Sequence, residues 1–536
     1  MPTALPLTFA RGALTALLAV GVAVIAVGWL AAGRTAGSES GAYREAVLGR
    51  PVRINPLVEP ASQAEADLTA LIFSGLMRLR ADGSPEPDLA ERWEVTPDQL
   101  TYTFHLRSDA TWHDGAAFDA EDVAFTIARI QSETFSGPPS LKAQWEDVQV
   151  FVDDATTVLI RLPEPAADFL VRATVGLLPE HLAAELDRGE GFEARPFERS
   201  PIGTGPYRLT SLNGDRAVLR HNTSYFRGTP PIAELELRFA TSPEEQIEWL
   251  RAGDVDGALL PETATTTAIE ELVGARESLA ATVLPTDALT VLYLNNRRGA
   301  LEDPRTRAAL AASLDTEAIV RAVDGGLRPG TGVIPPGSWL HASPERDRPD
   351  AEELWAAALW ERGPDGVRTR DGARLTLELV TNGEPERTTL AEAIAAQLAE
   401  AGVVVELITA PAQRVVSEYL RPGNYDLALF GWETPADPDP YTGWHTSQVT
   451  AGNVAAFSDA EADALLEAGR TTLDVAERRE LYALFQARFD ELGASVVIAY
   501  PAMTYVHPDT LIGLEPMLLV SPSSRFEDIE RWRLAD

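Results

Sequence analysis

The sequence predicts an α/β fold preceded by one apolar N-terminal helix, and three observations carry that prediction. Short apolar runs alternate with amphipathic segments through the body of the chain. Capping residues and glycines mark where the helices start and stop. A charge-free stretch stands apart at the N-terminus, separated from the rest by a polar linker.

The first element is that stretch, residues 13–32, flanked by Arg11 and Arg34. About 20 residues at a rise of about 1.5 Å match a hydrocarbon core of about 30 Å. A cleavable leader usually has a shorter apolar region. The segment therefore reads as an uncleaved signal anchor, with 1–12 as a cytoplasmic N-terminus and 33–42 as a linker. Ala31-Ala32-Gly33 keeps a cleaved signal open as the alternative. Further on, Asp119 caps a helix bearing Val123, Phe125, Ile127 and Ile130. Ser242-Pro243-Glu244-Glu245 reads as a capping box with proline at the first helical position, and that helix stops at Gly253 before a strand over 255–260. Asp315 caps a helix with Ile319, Val320 and Val323. Thr389 with Glu392 reads as a second capping box, whose helix ends at Gly402 ahead of a buried strand over 403–407. Residues 427–430 form a short apolar run expected to be buried on both faces. Proline and glycine cluster at 83–87, 201–206 and 328–337, and no repeat of fixed period is present.

Composition narrows the function. The 536 residues, 45% apolar and 24% charged, suffice for a sizeable core. The net charge of −36 disfavours nucleic acid as a partner, because phosphate is repelled. Without cysteine there is no disulfide, thiolate chemistry or lipidated anchor. The seven histidines are dispersed with no metal-ligand spacing, and neither a nucleotide-binding loop nor a nucleophile elbow is present. No cofactor and no enzyme activity are expected.

Four segments carry a resemblance. The first runs from Ile72-Phe73-Ser74-Gly75-Leu76 through Pro87-Asp88-Leu89-Ala90-Glu91-Arg92-Trp93 and Tyr102-Thr103-Phe104-His105-Leu106-Arg107. It continues to Trp112-His113-Asp114-Gly115 and Asp119-Ala120-Glu121-Asp122-Val123. The second is Gly203-Thr204-Gly205-Pro206-Tyr207, and the third is Leu292-Tyr293-Leu294-Asn295 followed by a helix with Arg305 and Arg307. The fourth is Tyr425-Asp426-Leu427-Ala428-Leu429-Phe430-Gly431-Trp432 with Asp437-Pro438-Asp439-Pro440-Tyr441 behind it. Together, from about Tyr43 onward, the chain resembles the family 5 bacterial solute-binding proteins, which include oligopeptide, dipeptide and nickel binders.

The resemblance implies a two-lobed, periplasmic-binding-protein-like fold of three domains. A discontinuous domain I would cover 43–84, 200–292 and 501–536, domain II 85–199, and domain III 293–500. It also implies an extracytoplasmic protein, monomeric, that closes on a peptide ligand and delivers it to the permease and ATPase subunits of an ABC importer. The alternatives are a non-peptide solute (a metal chelate, haem, a sugar or an opine) and a membrane-anchored sensor uncoupled from import. In peptide-binding relatives an Asp in the fourth segment resembles the anchor for the ligand's ammonium group. Those relatives place it three residues after the Trp, where this chain has Pro435. Asp437 is the expected ligand contact, with capping of the turn at Pro438 as the alternative. Trp432, Tyr441 and Trp444 are expected to line the pocket, with stacked core aromatics as the alternative. Trp339 is a further candidate, and Tyr293 and Asn295 are placed near a hinge.

Overall fold

The computed structural model describes residues 42–186, 196–342 and 350–535. The expected anchor over 13–32 lies outside these residues; among those described, no helix is long and apolar enough to cross a membrane. The fold is α/β.

Strand β1 (Ala42–Leu48) is followed by helix α1 (Gln63–Ile72), capped by Ser62. A four-stranded antiparallel sheet of Ala90–Val95, Thr101–Leu106, Thr157–Arg161 and Gln149–Asp154 comes next, with helix α2 (Ala120–Gln131) packed against it. Its N-terminus is the expected cap, and the capping box closes reciprocally between Asp119 and Asp122. Asp122 also accepts the indole N–H of Trp112 at 3.0 Å. His113 joins the first signature segment to the second. Its amide donates to the Gly203 carbonyl at 2.9 Å, and its ring lies 3.0 Å from the Gly205 carbonyl. Both glycines lie against Ile72: a Cβ at Gly203 would sit 1.9 Å from the Ile72 carbonyl oxygen. The reversal needs glycine for close approach.

Twelve of the other strands build one sheet that runs through both halves of the molecule, and the rest form three small sheets of two or three strands. In the first half β2 (Gly257–Leu260) lies beside β1, and β3 (Leu279–Pro285) pairs with the long strand below. In the second half lie β4 (Ala288–Leu294), β5 (Thr376–Asn382), helix α3 (Pro385–Glu400) and β6 (Leu427–Glu433). Helix α4 (Val475–Glu491) then leads to β7 (Ser495–Pro508), which pairs with β4 through its first part and with β2 and β3 through its last. The chain therefore crosses between halves at Thr286-Asp287 and again near Tyr500-Pro501. The Thr286 amide and hydroxyl both donate to the Pro501 carbonyl, at 3.0 and 2.9 Å.

Three local expectations are corrected. Helix α3 begins at Pro385 with Glu384 as its N-cap, so Thr389 lies inside it and its hydroxyl donates back to the Pro385 carbonyl at 3.0 Å. Proline at the first helical position overrides the later capping signal. The strand after Gly402 spans Val404–Ala410 and is an edge strand with an exposed face, so its apolar run is only half covered. Ser242 caps its helix, but Glu245 reaches back to the Thr241 amide and hydroxyl instead of to Ser242, so the box is only half formed. Gly253 ends that helix as expected, at φ +81°.

Candidate ligand crevice

Strand directions place the crevice. β2 ends at Leu260, which pairs with Thr504 of β7, and β6 ends at Glu433, which pairs with Ala288 at the start of β4. β5 runs parallel to β6. The carboxyl ends of β2 in one half and of β5 and β6 in the other therefore face the same boundary, where the chain crosses. Open α/β sheets take ligands outside such strand ends.

Five charged side chains gather there. Glu262 follows β2, Asp287 sits on the crossing, Glu386 and Arg387 open α3, and Glu433 closes β6. Their fields connect them: Glu262 is acted on by Arg387 and Glu433, Glu386 by Glu262 and Arg387, and Asp287 by Glu433. Burial pushes the Glu262 and Glu386 carboxyls up, and pushes Asp287 up to about 8. Burial pushes the Arg387 guanidinium down, against the pull of Glu386 and Glu262. None of the five has an ion pair within 4.0 Å or a side-chain hydrogen bond to another described residue. Arg387 packs beside β6, its Nη2 3.0 Å from where a Cβ on Gly431 would be. On the same face of the sheet the Thr290 hydroxyl, opposite Gly431, is fully buried without a hydrogen-bond partner.

The residues singled out from sequence are placed as follows. Asp437 is 3% exposed, and its two oxygens accept from Nη2 and Nη1 of Arg478, both at 2.8 Å. Arg478 also donates to the Gly469 carbonyl at 2.8 Å and to the Tyr482 hydroxyl at 3.1 Å. Burial works against the Arg478 charge, but the hydrogen bonds and field of Asp437 override it and hold its pKa well above the ordinary value. Asp437 therefore meets a protein cation inside its own half. Beside it Asp439 pairs with Arg470 at 2.9 Å, and burial pushes its carboxyl up to about 6. This loop faces 164–172 across a cavity of about 310 Å³ lined by Asp168, Arg172, Tyr441 and Arg470 among others. The Ala167 amide crosses to the Arg470 carbonyl at 2.9 Å.

Trp432 is half-buried and packs over Gly443. Trp444 and Tyr293 are buried and stacked with centroids 6.0 Å apart, and Tyr441 stacks on His445 at 4.1 Å. Trp339 is buried against the other half, its amide donating to the Asp82 carbonyl at 3.0 Å. Asn295 is buried, and its amide nitrogen donates to the Gly423 and Tyr425 carbonyls at 2.9 Å each. The five crevice charges were not singled out from sequence. The signal that could have found them is position: Glu262 lies two residues past the end of β2, Glu433 is the last residue of β6, and α3 carries its charges immediately after Pro385.

Two halves joined by chain crossings, with strand ends converging on the boundary, define a two-lobed binding protein. A family model described as bacterial extracellular solute-binding proteins, family 5, matches residues 84–453. The chain belongs to that family. It is similar to the oligopeptide-binding protein AppA of Bacillus subtilis (strain 168), 26% identical over 507 residues that cover 91% of this chain and 90% of AppA. It is also similar to di/tripeptide-binding protein 2 of Pseudomonas aeruginosa (strain UCBPP-PA14), 29% identical over 78% of this chain and 81% of that protein. Among solved structures, NikZ from Campylobacter jejuni in complex with Ni(L-His) superposes with a TM-score of 0.67 at 25% identity, over 92% of this chain and 99% of NikZ.

Proposed function

We propose that this protein is the extracytoplasmic substrate-binding component of an ABC importer, capturing peptides between its two halves and handing them to a membrane permease. The observation that carries the reading is the crevice itself. Strand ends from both halves meet over two chain crossings, in a chain that resembles peptide-binding proteins over nine-tenths of its length. Closing the halves buries the ligand and needs no covalent step; only a ligand that binds the closed form better shifts the population toward it. In this reading the three domains follow the boundaries expected from sequence, and residues 13–32 hold the protein to the outer face of the membrane. The aromatic residues Trp432 and Tyr441 border the ligand. Asp437 takes part by exchanging Arg478 for the ligand's amine, or by holding the loop in shape through that pair.

Native mass spectrometry of the protein purified from a native-like host tests this, with denaturing mass spectrometry of whatever is released. A set of co-purified peptides of mixed sequence is expected. A single non-peptide species, or an empty chain that a peptide library does not stabilise thermally, would overturn the peptide reading and leave the family membership untouched.

A further inference from the structure

Several buried charges in this molecule are matched by opposite charge. Arg525 is fully buried, and its guanidinium donates to Glu45 at 2.8 Å and to Asp67 at 2.9 and 2.6 Å. Arg78 is shared by Glu86, Asp528 and Glu530 within 3.3 Å. Asp437 has Arg478. The crevice lacks such pairs: buried Asp287, half-buried Glu262 and Glu386 and exposed Glu433 face the half-buried Arg387 guanidinium, with no direct pair among the five. Asp287 sharpens the contrast: it is nine-tenths buried, takes no hydrogen bond from another residue's donor, and the charge acting on it is the like charge of Glu433. Leaving a carboxylate as buried as Asp287 ionised and unpaired is costly unless a partner arrives from outside the chain.

Placement says what that partner is. Glu262 belongs to the first half, Glu386, Arg387 and Glu433 to the second, and Asp287 to the crossing. Glu262 and Glu433 lie on opposite sides of the boundary and act on each other as like charges. A cation held between them turns that repulsion into attraction. Arg387, beside β6 where Gly431 leaves room, supplies a positive group among the described residues.

We infer that the crevice selects peptides of net positive charge, with Glu262, Asp287 and Glu433 receiving the side-chain ammonium or guanidinium group of a Lys or Arg from both sides of the boundary and Arg387 receiving a carboxylate. The inference rests on the peptide-binding reading and adds a charge preference to it. It also gives closure a trigger, because a cationic group stabilises the closed form more than the open one.

Isothermal titration of the full chain with tripeptides matched in size, bearing Lys, Ala or Glu side chains, tests it. The Lys peptide is expected to bind about tenfold or more tightly than the Ala peptide, and the Glu peptide most weakly. E262Q and E433Q should each cut Lys-peptide affinity about five- to tenfold while changing Ala-peptide affinity less than twofold. The Lys preference should shrink as salt rises. Thermal melting of each variant checks folding, and neither replaced carboxylate has a partner to lose. Equal affinities across the series, unaltered in E262Q and E433Q, would overturn the charge preference and leave peptide binding standing. Spermidine is the second probe. Binding of spermidine but of no peptide, weakened in E262Q, would support the cation site and overturn the peptide reading. Binding of neither would overturn both.

Discussion

At the scale of single residues, two carboxylates with opposite surroundings behave in opposite ways. Asp437 is buried in a two-pronged pair with Arg478. Removing one member of such a pair strands a charge, so Asp437→Ala is expected to cost about 3–5 kcal/mol in urea unfolding, and Asp437→Leu with Arg478→Met to recover most of it. Asp287 has no cation. Its carboxyl is pushed up to about 8 by burial, with the charge of Glu433 adding to the push, against an ordinary 3.8. The folded state therefore holds a proton between those values that the unfolded chain has lost, and the contribution of this group to stability rises as pH falls from about 8 toward 4. Asp287→Asn is expected to be more stable than the parent by at least about 1 kcal/mol at alkaline pH. The gap should narrow steadily as pH falls from about 8 toward 4, read from melting of both proteins across that range. Because binding a cation favours the charged carboxylate, Lys-peptide binding near neutral pH should release protons, seen as a buffer-dependent heat.

At the scale of elements, the signature segments turn out to be joints. The Trp112-His113 turn, the α2 capping box and the Gly203–Gly205 reversal lock into one another through Asp122, the His113 ring and Ile72. A methyl group at Gly203 would overlap the Ile72 carbonyl, so Gly203→Ala must displace α1 or the reversal. It is expected to destabilise by about 1–3 kcal/mol in denaturant unfolding, and Gly214→Ala, where nothing lies within 4 Å, serves as the control. The C-terminal tail is tied in the same manner. Arg525 reaches Glu45 on β1 and Asp67 on α1, and Tyr505 of β7 donates to Glu45 at 2.8 Å. Two elements from near the start of the described chain and two from near its end share this buried cluster.

At the scale of the whole molecule, β7 and the Thr286-Asp287 crossing are continuous with both halves, so opening and closing must bend them. The pairing of β4 with β7 already shifts register between Thr290 and Val291, a bulge beside the boundary where strands bend readily. A bound peptide is expected to lower the radius of gyration of the protein in small-angle scattering. An unchanged radius on saturation with a peptide that does bind would show that capture proceeds without closure.

Element types, most capping sites and family membership were legible in the sequence because they depend on local pattern: a cap lies within three residues of what it caps, and a signature is contiguous. The anchor expected over 13–32 rests on length and apolarity alone and lies outside the described residues. The α3 start was misjudged because two capping signals competed within a few residues and Pro385 prevailed. Charge pairing was decided by tertiary structure. Asp437 finds Arg478 across 41 residues of chain, while Glu262 and Glu386 share a field from opposite halves. A carboxylate's role depends on which cation, if any, the fold brings within a few ångströms of it, and distance along the chain carries almost no information about that.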